Sequence, residues 1–207
     1  MSDSKLAPEN TTKKETGITS QRLNLILAIC AILISAASFY ATYLQASAAE
    51  KQVKAMTLPL VQYENSNLDD ETKKPVIIFS IVNGGVGPAS IKSLNITYKN
   101  ESYHNIYQVL KACCASEYEK FIQKVNMDMS QGGYITSSVV NRIIPAQEEI
   151  QFYRLYDGEI SHTLWQKLNN ERSDIKVSIC YCSLLDECYL TTEKRVVEPV
   201  AACPVEN

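Results

Sequence analysis

The sequence contains few of the residues that form active sites and large aromatic cores. Among 207 residues there are two histidines, one Trp and four Phe, whereas Tyr occurs 12 times. A formal net charge of −3 leaves no excess of basic residues, which excludes a general nucleic-acid binder. A chain of this length accommodates one ordinary domain with an appendage, so a two-domain enzyme is not expected.

The sequence also lacks the short motifs on which common enzyme classes depend. It has no G-x-S-x-G elbow, and His104 and His162 stand in no recognisable triad context. The segment NGGVGPA at 83–89 lacks the Lys-Ser/Thr ending of a phosphate-binding loop, and we interpret it as a turn whose glycines supply positive φ angles. The acidic pairs at 69–70 and 148–149 adjoin turns, where a solvated surface role is favoured over catalysis. These absences predict a protein without catalytic residues, cofactor or metal.

An uncharged apolar run follows a polar leader at the N-terminus. Residues 23–43 read LNLILAICAILISAASFYATY, and at ~1.5 Å per residue this run crosses a ~30 Å hydrocarbon core. We therefore predict a disordered tail at 1–22, a transmembrane helix at 23–44, a juxtamembrane helix at 45–56 and a β-rich domain at 57–207. The alternative is a signal peptide cleaved near Ala46-Ser47-Ala48, but the apolar run exceeds the usual length of ~7–15 residues.

Charges and cysteines together indicate which side of the membrane carries the domain. Four basic residues precede the span and two closely follow it: Lys5, Lys13, Lys14 and Arg22 before, Lys51 and Lys54 after. Basic residues favour the cytoplasmic side. Six of the seven cysteines fall in the domain, and an even number is typical of an oxidising compartment. The N-terminus is therefore expected in the cytoplasm and the domain on the other side.

Hydrophobic periodicity predicts four strands and two helices in the domain. The strand patterns cover 75–82, 90–98, 149–155 and 175–182, and the helix patterns cover 106–125 and 159–169. In the third strand, alternation is expected to place Ile150, Phe152 and Arg154 on one face. Strands on both sides of a helical insertion predict an α+β chain, in which the transmembrane helix precedes a mainly β, immunoglobulin-like sandwich with helical insertions.

The domain cysteines form the strongest local pattern. They are Cys113, Cys114, Cys180, Cys182, Cys188 and Cys203. Structural disulfides are the favoured interpretation, while a redox-active pair and a metal site remain alternatives. Six cysteines allow fifteen pairings, and the sequence does not choose among them. A bond between Cys182 and Cys188 is geometrically plausible, whereas the adjacent Cys113 and Cys114 are expected to reach two different partners.

Small and polar residues recur along the apolar helix at three- and four-residue steps. The candidates for helix packing are Ala31, Ser35, Ser38 and Thr42. A narrow stripe of this kind lets two helix backbones approach closely in a membrane. The alternative is chance, because small residues are frequent throughout the run.

Several short motifs together resemble one group of proteins. They are the apolar helix with its helical neck, NGGVGPA at 83–89, IPAQEEI at 144–150 and the ICYCS and ECY segments between 179 and 189. The chain resembles uncharacterised single-pass bacterial envelope proteins with an extracytoplasmic Asn-x-Gly-x-Gly-Pro-Ala β-domain. The resemblance implies anchoring in the bacterial inner membrane with a periplasmic domain, and it implies no activity. Tyr189 stands where such proteins tend to have Trp.

Taken together, these patterns predict a membrane-anchored interaction or sensing module that is not an enzyme. Its expected partners are the lipid bilayer and another envelope protein, or a second copy through the transmembrane helix, but not nucleic acid. Two alternatives stay open: a thiol-disulfide or metal-handling envelope protein using Cys180, Cys182 and Cys188, and an accessory subunit of a membrane complex.

Overall fold

A computed structural model describes residues 19–125 and 133–204. The predicted disordered tail lies almost entirely outside the described residues. The chain divides into two compact units, Met1–Lys51 and Gln52–Asn207.

One long helix, α1, runs from Ser20 to Met56. Its 37 residues span about 55 Å at ~1.5 Å per residue. The most apolar 18-residue window has a mean hydropathy of 2.2, and none of that window is buried. The predicted N-terminal apolar helix is therefore confirmed, and by length and composition it is able to cross a membrane.

The domain is α+β, as predicted, and contains two antiparallel sheets. Its strands are β1 (Val61–Leu68), β2 (Pro75–Asn83), β3 (Ala89–Tyr98), β4 (Glu101–Tyr103), β5 (Tyr134–Thr136), β6 (Ile143–Ile144), β7 (Glu149–Tyr156), β8 (Ile175–Cys182), β9 (Cys188–Thr191) and β10 (Val197–Val200). Its helices are α2 (Ile106–Lys124) and α3 (His162–Glu171), and a 3₁₀ turn at Arg172–Asp174 leads into β8. The four-stranded sheet has the order β1-β2-β7-β5, and the six-stranded sheet has the order β10-β9-β8-β3-β4 with β6 paired to β3.

Both sheets and both domain helices bury side chains in one hydrophobic core. The four-stranded sheet contributes an aromatic group of Tyr63, Phe79, Phe152 and Tyr153, with neighbouring ring centroids 5.7–6.2 Å apart. The six-stranded sheet contributes mainly β-branched side chains, which suit a pleated buried surface. Each helix packs an apolar stripe against this core.

A β-bulge in β7 changes which face of the sheet the side chains of this strand lie on. Phe79 pairs with Tyr153 and Ser80 pairs with Gln151, so Phe152 is the extra residue. Beyond the bulge the alternation reverses: Phe152 and Tyr153 are both buried, and Arg154 lies on the outer face with Gln151. The prediction that Arg154 shares a face with Phe152 is therefore wrong. The inserted residue shifts the two-residue period by one.

Glycine is required at two positions of NGGVGPA because the backbone of this loop closely approaches the backbone of residues 57–60. None of Gly84, Gly85 and Gly87 has a φ between +20° and +160°, which corrects the expectation of positive φ. A Cβ on Gly85 would lie 2.5 Å from the carbonyl oxygen of Leu58, and one on Gly87 would lie 2.8 Å from the Cα of Thr57. The loop therefore packs directly against the backbone that follows α1.

Asn83, the first residue of that motif, is fully buried and joins three backbone segments. Its Nδ2 donates to the carbonyl oxygens of Gly87 at 2.8 Å, Ile144 at 3.2 Å and Pro145 at 3.0 Å. Its Oδ1 accepts from the amides of Leu60 and Gly85, each at 3.1 Å. Because buried backbone groups need partners, this one amide side chain determines how the three segments meet.

Candidate functional site

All six domain cysteines form disulfides, as the sequence favoured. Two bonds lie at one end of the six-stranded sheet: Cys180–Cys203 and Cys182–Cys188. The second joins directly opposite residues of β8 and β9, with their Cα atoms 4.0 Å apart. Cys30, in α1, is the one free cysteine among the described residues.

The third disulfide corrects the expectation for the adjacent cysteines. Cys113 and Cys114 bond to each other inside α2. Their Cα atoms are 3.8 Å apart, as one trans peptide fixes them, so the two sulfur atoms meet only where the backbone leaves helical geometry. Cys114 does so, with φ −141° and ψ 30°, and α2 is kinked there. Local periodicity predicted a continuous helix and did not reveal this kink.

The two sheet disulfides touch each other. The Sγ atoms of Cys182 and Cys203, which belong to different disulfides, are 3.9 Å apart. Cys180 and Cys182 are buried at 1% and 5% exposure, whereas Cys188 and Cys203 are partly exposed. We call these four residues the cysteine cluster.

A cavity of about 510 Å³ opens beside the cysteine cluster. Cys182, Cys188 and Cys203 line one part of it, and Lys92, Val140, Asn141, Ala202 and Pro204 line the remainder. Lys92 is the extra residue of a bulge in β3, because Ile91 pairs with Tyr181 and Ser93 with Cys180. The cavity thus brings together a cation and three sulfur atoms from separate parts of the chain.

The cysteine cluster also has the spacing of a metal site but not the chemical form. The Sγ atoms of Cys182, Cys188 and Cys203 all lie within 4.8 Å of one another, the one such group of possible ligands in the described part of the chain. Metal binding requires thiolates, and here each sulfur is consumed in a disulfide. The oxidised protein therefore offers no thiolate ligand at this position.

A second, larger cavity lies on the outer face of the four-stranded sheet. It has a volume of about 820 Å³ and is lined by residues of β1, β2 and β7 and by the β1–β2 turn. We call it the outer cavity. Its acidic residues are Glu64, Asp69, Asp70, Glu71, Glu149 and Asp157, and its basic residues are Lys74 and Arg154. A cavity with this lining favours hydrogen-bonding and cationic groups over apolar ligands.

The ion pair at the base of the outer cavity explains one of the acidic pairs. Asp69, 9% exposed, bonds through Oδ2 to the Arg154 guanidinium. Its Oδ1 accepts from the amide and the hydroxyl of Thr72, each at 2.8 Å. The Nε of Arg154 is buried and has no hydrogen-bond partner among the described residues. Asp69 therefore fixes the β1–β2 turn and orients Arg154.

Glu171, at the end of α3, carries the largest downward pKa shift among the described carboxylates. Hydrogen bonds from the Tyr98 hydroxyl at 2.7 Å, and then from Lys167 and Lys99, lower the pKa of Glu171 from 4.5 to about 2. Ion-pair networks produce such shifts in purely structural settings. This network joins α3 to β3 and to the residue that follows it, Lys99.

The other residues singled out by sequence show local roles. His162 contacts the Asp157 carboxylate through Nδ1 at 2.8 Å. In α1, the hydroxyls of Ser35 and Thr42 donate to the carbonyl oxygens of Ala31 at 2.8 Å and Ser38 at 2.9 Å. These bonds satisfy the hydroxyls of Ser35 and Thr42 within the helix, as polar groups in lipid require.

Comparisons with protein-family models, curated proteins and solved structures find no significant match to this chain.

The two cavities and the contact between disulfides were not predicted from sequence. The spacing of Cys180, Cys182 and Cys188 was the one sequence signal for the cavity beside the cysteine cluster, and the outer cavity had none.

Proposed function

We propose that the chain is a membrane-anchored interaction or sensing module without enzymatic activity. In this proposal α1 crosses the inner membrane of a bacterium once, with the N-terminus in the cytoplasm. The domain lies in the periplasm, where it binds another protein or a cell-envelope component. The observation that carries the proposal is an exposed apolar helix joined to a domain whose six cysteines are all in disulfides. Such a helix needs lipid around it, and disulfides persist outside the cytoplasm.

The topology is tested with the full-length chain in bacterial cells. We expect the protein to stay in membranes during alkaline carbonate extraction. We expect added protease to digest the domain in spheroplasts while an N-terminal epitope tag stays protected. A soluble product starting near Ala48 would contradict the anchor and support the cleaved signal peptide.

We place the partner-binding surface at the outer cavity. Its volume falls in the range of ~300–1,000 Å³ typical of binding pockets. Rigid strands supply its floor, and the partly buried ion pair of Asp69 and Arg154 orients the guanidinium there. Surfaces positioned on strands hold their binding groups more precisely than loops do.

A photo-crosslinking residue placed in the outer cavity tests that surface. It replaces Gln151, whose side chain lines the cavity, and the matched control replaces the exposed Ser102 on β4 of the other sheet. We expect a discrete crosslinked product in intact cells from position 151 only, and a several-fold loss of it in Asp70→Lys, a charge reversal in the lining. Equal products from both positions would contradict the assignment.

We further propose that the two sheets form an immunoglobulin-like sandwich. Support comes from the wholly antiparallel pairing and from the single core that both sheets share. It also comes from a bond between the sheets, in which the buried Thr191 hydroxyl on β9 donates to the Val61 carbonyl oxygen on β1 at 2.5 Å. If this contact joins the sheets, Thr191→Val should destabilise the domain by about 1–2 kcal/mol, because a buried carbonyl loses its partner. An unchanged stability would contradict it.

Association through α1 is a further proposal, supported by the stripe of Ala31, Ser35, Ser38 and Thr42. It would make the chain a self-associating anchor or an accessory subunit. We expect Ala31→Leu with Ser35→Leu to abolish crosslinking in membranes. Ala36→Leu with Ala37→Leu enlarges the helix away from the stripe and should leave crosslinking intact. Equal behaviour of the two double variants would refute association through this face.

A further inference from the structure

We infer that the cysteine cluster is a thiol-disulfide exchange site, in which an incoming small thiolate opens Cys182–Cys188 and the two disulfides then exchange partners. The inference is independent of the proposed partner binding at the outer cavity. It rests on the contact between two disulfides, on the difference in exposure among their four cysteines and on the cavity that three of them line.

The first step is possible because Cys188 is more exposed than its disulfide partner, Cys182. Cys188 is partly exposed and lines the 510 Å³ cavity, whereas Cys182 is 5% exposed. The thiolate attacks Sγ of Cys188 and forms a mixed disulfide with it. The Cys182–Cys188 bond breaks, and Cys182 leaves as a thiolate. The cavity accommodates a small thiol, and the Lys92 ammonium that lines it favours negatively charged sulfur.

The second step follows from the 3.9 Å separation of Cys182 and Cys203. This is close to van der Waals contact between sulfur atoms, so the released thiolate already adjoins a disulfide. Cys182 attacks Sγ of Cys203, the Cys182–Cys203 bond forms, and Cys180 leaves as a thiolate that takes a proton from water. Each step exchanges one sulfur–sulfur bond for another, so the incoming thiol is the only reagent required.

Neither step requires the strands to separate. Cys180 and Cys182 lie on β8, whose pairing with β3 holds them in place, and only the side chain of Cys182 and the segment carrying Cys203 need to adjust. The third bond, Cys113–Cys114 in α2, has both partners in its own turn and lines neither this cavity nor the cluster. It supplies an internal control.

Two single variants of the full-length protein test the exchange. Cys188→Ser leaves Cys182 as a thiol beside Cys180–Cys203, and Cys180→Ser leaves Cys203 as a thiol beside Cys182–Cys188. We expect both to form the same new bond, Cys182–Cys203, in at least roughly a tenth of the molecules at pH 8. Acid quenching followed by peptide mapping detects it. Cys114→Ser, which frees Cys113 instead, should keep both original bonds of the cluster.

Treatment of the wild-type protein with glutathione tests the same steps without a substitution that could impair folding. After acid quenching and alkylation, we expect molecules that carry glutathione on Cys188, the Cys182–Cys203 bond and an alkylated Cys180. Trp165 fluorescence should stay native, which separates exchange from unfolding. Absence of the Cys182–Cys203 bond from both variants and from the wild type would overturn the inference. So would its formation only in denaturant.

Discussion

Removing the side chain of Asn83 should destabilise the domain more than any other single loss of a polar side chain described above. Asn83→Ala removes a side chain that is 0% exposed and makes five hydrogen bonds to backbone groups. In two of these bonds, Oδ1 of Asn83 accepts from the backbone amides of Leu60 and Gly85. An unpaired buried donor costs about 1–3 kcal/mol, so the two amides alone account for about 2–6 kcal/mol. Stability differences of this size are a large part of the ~5–15 kcal/mol typical of a whole domain.

The fluorescence of Trp165 measures this loss in the full-length protein. It is the single Trp of the chain and packs against the core, so its emission reports unfolding of the domain and not of α1. A loss of about 2–6 kcal/mol corresponds to a fall in melting temperature of about 4–24 °C, at ~2–4 °C per kcal/mol for domains of this size. Asn95→Ala is the control, because Asn95 makes one exposed bond of 3.3 Å to Ser102. Melting temperatures of the two variants within about 2 °C of each other would refute the reasoning.

Asn83→Asp separates the lost hydrogen bonds from the lost volume. The aspartate has the same shape, but its charged form would face three carbonyl oxygens that now receive hydrogen bonds from Nδ2. Burial and these oxygens should raise its pKa in the folded protein above the value in the unfolded chain. The variant should therefore be most stable below the unfolded-state pKa and lose stability as pH rises through the folded-state pKa. If the loss of stability relative to wild type does not depend on pH, the hydrogen bonds donated by Nδ2 of Asn83 are unimportant.

Three other tests address separate parts of the domain. Gly87→Ala should lower the melting temperature by several degrees because its Cβ meets the backbone that follows α1, whereas Gly84→Ala, whose nearest neighbour lies 3.9 Å away, should be nearly neutral; equal effects would refute the close-approach argument. Thr191→Val should lower the free energy of unfolding by about 1–2 kcal/mol in urea titrations, through its bond to Val61. Glu171→Gln should lower the free energy of unfolding above pH 4.5, because the folded protein stabilises the ionised form of Glu171, whose pKa is lowered to about 2. The variant should also lose less stability than the wild type as pH falls from 4.5 towards 2. An unchanged dependence of stability on pH in this range would refute the reasoning.

The regular elements were largely predictable because their patterns are local. The buried run at 75–82 became β2, Pro75–Asn83, and the alternating run at 175–182 became β8 over the same residues. Both strands are central in their sheets, where burial demands the β-branched residues that sequence reasoning detects. The helix predicted at 106–125 ends one residue earlier, at Lys124.

The first strand and the short strands β9 and β10 were missed because pairing, not composition, stabilises them. β1 reads VQYENSNL, and only its first half alternates apolar and polar residues. β9 and β10 are four residues each, too short for a periodic signal. The Cys182–Cys188 bond also fixes β9 against β8, and a covalent link of this kind leaves no periodic signal in the sequence. Sequence alone left the pairing of that link open.

The features that determine both cavities arise from single extra residues in strands. Phe152 in β7 shifts the alternation so that Arg154 reaches the outer cavity, and Lys92 in β3 is placed beside the cysteine cluster in the same way. A bulge depends on which residue opposes which across two strands, and one strand's own sequence does not contain that information. Both bulges lie beside concave surfaces, where re-aimed side chains are commonly functional. The two candidate sites of this protein therefore come from interruptions of the β pattern, and its regular parts supply the fixed framework around them.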